Sequence, residues 1–171
     1  LARLPESYRE AVRLDANHSG AIFNRGLVYM FLRRLEAAAD ARAYVRLKGW
    51  KDDRAQYLVI FGAFGERAAQ RETEARQLLD DAAANCNISA WPYPVIRYLR
   101  RDLSVDDLLA AATDADKKTE ARAYLGLDLA LAGKQDEAVT HLQWVKDNGK
   151  KDFSEYAFAV NELGRLGGGG K

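Results

Sequence analysis

Residues 119–152 read TEARAYLGLDLALAGKQDEAVTHLQWVKDNGKKD, and this stretch decides the fold. Gly126 is followed twelve residues later by Ala138, each inside an apolar-periodic segment, with Gly133 between the segments and Gly149 after the second. The stretch SGAIFNRGLVYMFLRRLEAAADARAYVRLKGWKD, residues 19–52, has the same length and the same spacing, Gly26 then Ala38. Ile22, Gly26, Tyr29, Ala38 and Val45 of the first stretch map onto Arg122, Gly126, Leu129, Ala138 and Val145 of the second. Each therefore reads as two amphipathic helices joined by a tight turn. A small residue where two antiparallel helices cross lets their backbones approach, and the flanking apolar side chains interdigitate ridge into groove.

A duplicated 34-residue helical hairpin with this pattern resembles the tetratricopeptide repeat, TPR. The expected fold class is all-α: a right-handed TPR-like helical-hairpin solenoid with an irregular shortened hairpin and a C-terminal capping helix. Residues 1–166 read as one such solenoid. Within it, 1–18 is the end of a truncated repeat, 19–52 a TPR, 53–84 a degenerate TPR, 85–116 a short hairpin, 117–152 a TPR and 153–166 the capping helix. Ser19 is expected to cap the helix Gly20–Leu32, and Asp53 the helix from Arg54 to Ala69. In the degenerate repeat, aligning Ala75 with Ala38 puts Ala63 at the glycine position, flanked by Gly62 and Gly65. Pro94 opens a short helix in the irregular hairpin, and Ser104 with Asp107 forms a variant capping box. The capping helix presents Phe153, Tyr156, Ala157, Val160 and Leu163 on one side. Glycines 167–170 and Lys171 read as a flexible tail.

Composition fits this reading and narrows the function. The chain is 48% hydrophobic with three prolines, and 26 basic residues balance 25 acidic ones. No basic stripe argues for nucleic acid. Cys86 cannot form an intramolecular disulfide, and among alanines it reads as a small buried hydrophobe rather than a reactive thiol. No stretch approaches the roughly 18 apolar residues of a bilayer span. The chain starts at Leu1 within a helical pattern and reads as truncated there, so the absence of a targeting or anchoring segment leaves a membrane anchor undecided.

Catalytic and metal chemistry find no constellation in the sequence. His18, His141 and Cys86 do not share metal-ligand spacing. Asp80-Asp81 and Asp106-Asp107 are adjacent carboxylates, which diverge on a helix. No phosphate loop, nucleophile elbow or dinucleotide fingerprint occurs, so no catalytic residue, metal or cofactor is expected.

Recognition is the remaining class. The inward positions of the first helix in the first repeat are Phe23, Asn24, Leu27, Met30 and Phe31, with Arg25 nearby. Asn24 either hydrogen-bonds the backbone of an extended peptide, with Arg25 suited to a carboxylate, or satisfies a neighbouring helix end. The equivalent positions of the last repeat, Ala123, Tyr124, Leu127, Ala130 and Leu131, are more apolar and expected to be covered by the closing helix. A second, weaker candidate is the aromatic and basic group of the irregular hairpin: Trp91, Tyr93 and Tyr98 beside Arg97, Arg100 and Arg101. Such residues are enriched at interface hot spots; equally, the aromatics can wedge a short hairpin between its neighbours.

Asn24-Arg25-Gly26, then Leu109-Ala110-Ala111-Ala112-Thr113, then the run Thr119 to Gly126, and finally Asp152-Phe153-Ser154-Glu155-Tyr156 follow one another in an order that resembles bacterial TPR proteins of the new-lipoprotein-I kind. The resemblance implies a periplasmic, membrane-anchored adaptor that brings a processing protease and cell-wall hydrolases to their substrates, and that dimerises. The anchoring cysteine of that family is not at the start of this sequence, so a cytoplasmic location stays open. The expected function is a non-catalytic scaffold or adaptor binding a protein or peptide partner through its groove, without nucleic acid or small-molecule cofactor. The alternatives are an accessory domain of a larger enzyme, or a segment that self-associates through Phe31 or Tyr57 into a homo-oligomer.

Overall fold

A computed structural model describes residues 4–167. Among them lie ten α-helices and no strand: α1 Leu4–Leu14, α2 Ser19–Phe31, α3 Glu36–Lys48, α4 Ala55–Ala68, α5 Glu72–Asn85, α6 Tyr93–Leu99, α7 Val105–Ala111, α8 Ala115–Leu131, α9 Gln135–Asn148 and α10 Ser154–Gly167. The all-α hairpin architecture is as the repeat spacing required. The chain divides into two compact units, residues 1–96 and 97–171. Of the expected tail, Gly167 closes α10 and residues 168–171 lie outside the described residues.

Side chains cap α2, α7 and α8 by accepting from free backbone N–H groups, whereas the N-caps of α3, α4, α5 and α9 make no such bond, and the caps the sequence suggested for α2 and α4 are not the ones used. His18 caps α2 in place of Ser19, its Nδ1 accepting from the Ala21 N–H at 3.1 Å. Asp53 does not cap α4, whose N-cap is Arg54 without a side-chain bond; in the preceding turn Asp52 Oδ1 accepts from the Arg54 N–H at 3.0 Å and from the Tyr44 hydroxyl at 2.8 Å. Asp114 caps α8 through the Lys117 N–H at 2.9 Å and starts that helix earlier than expected. Ser104 caps α7 as read, accepting from the Asp107 N–H at 3.1 Å and donating its hydroxyl to Asp107 Oδ2 at 2.7 Å.

One turn recurs after α2, α4, α6 and α8. The residues Arg33, Gln70, Arg101 and Gly133 all have positive φ, 54°, 60°, 67° and 77°. Each N–H reaches back to the carbonyl three residues before, Met30, Arg67, Tyr98 and Ala130. The following N–H of Arg34, Arg71, Asp102 and Lys134 reaches the carbonyl five residues before, Tyr29, Glu66, Arg97 and Leu129. These paired bonds are the Schellman closure of a helix. The same geometry thus ends four first helices, and only one of the four has the glycine that sequence reasoning looks for.

In unit 1, α4 is the central element and packs against α2, α3 and α5. The close approaches are at Gly62 and Gly65. A Cβ on Gly62 would lie 2.7 Å from Leu78 Cδ2, 3.0 Å from Ala41 Cβ and 3.1 Å from Ala38 Cα; one on Gly65 would lie 2.6 Å from the Arg34 carbonyl oxygen. Ala63, aligned by sequence with the crossing glycine, is fully buried, but the neighbouring backbone comes closest at the two glycines beside it. Glu66, also buried, ties the turn down: its Oε1 accepts from Arg42 Nη2 at 3.0 Å, and its Oε2 lies 3.3 Å from Arg71 Nε. A buried carboxylate is tolerated only with such partners.

In unit 2, Gly126 meets the second helix of its own hairpin, as the repeat required. A Cβ there would sit 2.6 Å from Leu142 Cγ and 3.4 Å from the Ala138 carbonyl oxygen. α10 packs on both α8 and α9. Its buried face is Glu155, Phe158, Ala159 and Glu162, whereas Ala157 and Val160, read as inward, are exposed. Two glutamates at inward positions broke the apolar periodicity. Glu155 Oε1 accepts the Tyr124 hydroxyl at 2.6 Å, and Glu162 Oε2 accepts from Arg165 at 3.2 Å.

Candidate functional site

The groove positions of α2 are where the sequence placed recognition, and the structure divides its residues. Met30 and Phe31 are buried, so neither offers a surface to a partner, and Phe31 offers none for self-association. Phe23 and Leu27 are half-buried and Asn24 is exposed. Among the described residues the Asn24 side chain makes no hydrogen bond, so it satisfies no neighbouring helix end. Its amide has a donor and an acceptor to offer.

Arg25 is engaged by its own hairpin. Its Nε and Nη2 donate to the two carboxylate oxygens of buried Asp40 on α3, at 3.0 and 2.6 Å. Burial pushes the Asp40 carboxyl above its ordinary value, and the guanidinium works against that shift. A bidentate pair of this kind holds α2 to α3 and leaves little of Arg25 for a ligand carboxylate.

Sequence reasoning missed Arg54. Its guanidinium lies over the Phe23 ring, 5.1 Å from the centroid, and has no carboxylate partner among the described residues. Phe23 is in turn held edge-on by Phe61 at 5.7 Å and Tyr44 at 6.4 Å. Tyr44 is fixed by its hydroxyl bond to Asp52, and burial together with that carboxylate pushes its pKa up to about 12. Arg54 follows directly on Asp52 and Asp53, and in a charged run of loop residues nothing marked it out. The aromatic wedge beneath is what brings this cation to the α2 face.

The basic and aromatic residues of the irregular hairpin are placed differently from one another. Trp91 and Tyr93, in unit 1, are half-buried around a cis Trp91–Pro92 bond, and Pro92 is buried. In unit 2, Arg101 Nη1 and Nη2 grip the Asp128 carboxylate at 2.6 and 3.1 Å, and the Tyr98 hydroxyl donates to the same carboxylate at 2.9 Å. Burial first, and then Asp128, push the Tyr98 hydroxyl well above its ordinary value. Arg97 is exposed, with Nη2 3.3 Å from the Asp102 carbonyl oxygen. Tyr98 and Arg101 therefore build the fold.

In the last repeat Ala123, Tyr124 and Leu127 are fully buried, with Tyr124 tied to Glu155 of α10. The first-helix face of that repeat is closed at these positions. Cys86 is buried, and burial pushes its thiol up to about 11, which leaves it protonated and unreactive at neutral pH. Among the described residues no three His, Cys, Asp or Glu side chains gather closely enough to hold a metal ion. None of the described helices is long and apolar enough to cross a membrane.

Stacked hairpins closed by one recurrent turn, with small residues where helices cross, define a TPR-like helical-repeat protein. No family model matches the chain. It is similar to the Lipoprotein NlpI homolog of Haemophilus influenzae (strain ATCC 51907 / DSM 11121 / KW20 / Rd), at 24% identity over 169 residues, 94% of this chain and 52% of that protein. The chain thus spans about half the length of this relative, a distant likeness that agrees with the all-helical repeat fold.

Proposed function

We propose that the chain is a non-catalytic adaptor whose α2 face receives an extended segment of a protein partner. The observation that carries this reading is Asn24: exposed in mid-helix, its amide unsatisfied by the protein, flanked by half-exposed Phe23 and Leu27 and by the uncompensated Arg54. An asparagine amide so placed pairs with the N–H and C=O of a peptide backbone, and the two apolar neighbours give its side chains a surface to cover. Arg54 favours an acidic residue in that segment. The name of the relative, a lipoprotein, supports a place in the bacterial cell envelope.

The test is affinity capture from a bacterial envelope extract, followed by measurement of binding to the captured partner after its purification. Asn24→Ala removes a pair of backbone hydrogen bonds worth about 1–2 kcal/mol, so affinity drops by roughly tenfold or more. Trp91→Ala leaves binding unchanged. Equal binding by wild type and Asn24→Ala would remove the proposed face, and loss with Trp91→Ala alone would move recognition to the irregular hairpin.

A further inference from the structure

The two sequence repeats stand in register at an offset of one hundred residues, so Ile22, Ala41 and Tyr44 correspond to Arg122, His141 and Trp144. The first three are core, exposed by 1%, 0% and 2%. Gly62 of α4 lies over that face, since a Cβ on it would come within 3.0 Å of Ala41 Cβ. In the last hairpin α10 follows α9 as α4 follows α3, and it leaves Arg122, His141 and Trp144 half-exposed. An apolar triplet in one repeat has become a cationic and aromatic one in the other.

The three side chains make one cluster. The Arg122 guanidinium lies over the Trp144 ring, 4.7 Å from its centroid, and Nη1 is 3.1 Å from His141 Nδ1. An arginine can only donate, so Nδ1 accepts and the imidazole is neutral with its proton on Nε2. Burial, and then the Arg122 charge, hold His141 below its ordinary pKa, while Glu137 on α9 opposes them. Glu137 itself pairs with Lys134 at 3.5 Å.

Arg122 is partly buried without an anion among the described residues. Three other arginines are matched by a carboxylate: Arg25 by Asp40, Arg67 by Glu72 and Arg101 by Asp128. Arg122 has no carboxylate partner among the described residues, and neither has Lys118 one turn earlier on α8. Desolvation of an uncompensated guanidinium is unfavourable and lowers its pKa. Stacking on Trp144 and the bond to His141 occupy one ring face and one N–H, leaving further N–H donors of the fork without a protein acceptor. A planar fork of parallel donors matches a carboxylate.

We propose that Arg122, His141 and Trp144 form a carboxylate-binding site on the α8–α9 hairpin, taking a side-chain or chain-terminal carboxylate of a protein partner. Arg122 supplies the charge and the paired donors. His141 holds the guanidinium through Nδ1 and offers its Nε2 proton as a further donor. Trp144 fixes the plane of the fork. The site does not depend on the α2 reading, because small carboxylates alone test it.

The chain has two histidines, so His18 in unit 1 is an internal control for His141. Sodium acetate, exchanged for chloride at constant ionic strength, moves the His141 ring resonances saturably and raises its apparent pKa by about half a unit or more. His18 does not follow. N-acetylalanine and N-acetylglutamic acid α-amide then separate a chain terminus from a side-chain carboxylate as the better occupant. Arg122→Gln abolishes the saturable response with the helical circular dichroism and melting intact. Should that variant not fold, the wild-type Trp144 indole N–H resonance reports the same titration and must saturate with the same midpoint as His141. The proposal is overturned if neither probe saturates by about 0.2 M acetate, where even a weak single contact fills. It is equally overturned if His18 and His141 move in parallel, or if inorganic phosphate produces the same shift at the same concentration.

Discussion

The α2–α3 hairpin and the α8–α9 hairpin have the same repeat spacing, yet they place charge at different positions within it. In the first, Arg25 and Asp40 form a buried bidentate pair and Ile22 lies in the core. In the second, the corresponding residues are Leu125, Thr140 and Arg122. The first hairpin keeps Asn24 exposed; the second buries Tyr124 at that position against Glu155 of α10. The shared features are those that set backbone approach and turn geometry. The features that differ decide where polar groups remain for a partner, so a TPR-like spacing specifies the scaffold and leaves the binding face to side chains outside the pattern.

The largest expected effects come from the close approaches, because backbone cannot move aside as a side-chain tip can. Gly65→Ala drives a Cβ to 2.6 Å from the Arg34 carbonyl oxygen, which the turn after α2 holds in place. It is expected to destabilise unit 1 by about 3 kcal/mol. Gly126→Ala meets Leu142 at Cγ as well as Cδ2, both 2.6 Å away, and costs about 1–2 kcal/mol. Gly26→Ala, at the equivalent place in the first hairpin, comes too close to the Leu58 Cδ1 tip alone, at 2.8 Å, with Asp40 Cβ at 3.4 Å in ordinary contact, and the gain of about 0.8–1.0 kcal/mol in helix propensity offsets much of the strain. Amide hydrogen exchange resolved by unit measures all three. Equal protection in Gly26→Ala and Gly126→Ala would break the comparison.

How far the sequence reached follows from the same distinction. Glycine, alanine and apolar periodicity gave the hairpins, the closing helix and the burial of Ala123, Tyr124 and Leu127, though not of the half-buried Ala130 and Leu131, because backbone proximity and burial leave a compositional trace. Where polar residues take inward positions the trace disappears. Glu155 and Glu162 shifted the apparent face of α10, and Glu66 together with Gly62 and Gly65 disguised the crossing in the middle repeat. At the candidate surface Asn24 could be singled out from its position. That Arg25 is consumed by Asp40 and that Arg54 lies over Phe23 depend on side chains 15 and 31 positions away, and that Met30 and Phe31 are interior depends on whole-helix packing, which no local spacing encodes.

The recurrent turn sharpens the comparison at a smaller scale. Gly133 and Gln70 occupy the same left-handed position after their helices, at φ 77° and 60°. A side chain there costs roughly 1 kcal/mol. Nothing lies within 4 Å of a Cβ on Gly133, so Gly133→Ala tests backbone strain alone and should lower stability by about 1 kcal/mol. Gln70→Gly, on an exposed residue, should recover a few tenths to 1 kcal/mol despite the added freedom of the unfolded chain. Opposite signs in urea titrations identify one shared turn; the same sign in both would mean that the four closures are not equivalent.

The smallest effect is set by pH, and it isolates the histidine that the last hairpin has at a core position of the first. Position 41 is alanine in the first repeat, whereas its counterpart His141 has a folded-state pKa below the ordinary 6.5. Between that lowered value and 6.5 the unfolded chain binds more protons than the folded one, so stability rises with pH across the window and falls on acidification through it. Burial is the larger cause and the Arg122 charge the second, and both oppose an imidazolium at this place. His141→Gln removes the titration while keeping an acceptor for Arg122 Nη1. The stability difference between wild type and His141→Gln should therefore shift against the wild type as pH drops from about 7.5 to 5, the range around the ordinary histidine value. Parallel pH profiles for the two proteins would show that Arg122 does not bear on His141 in solution, and with that the distinction between a core triplet and a cationic one would lose its electrostatic content.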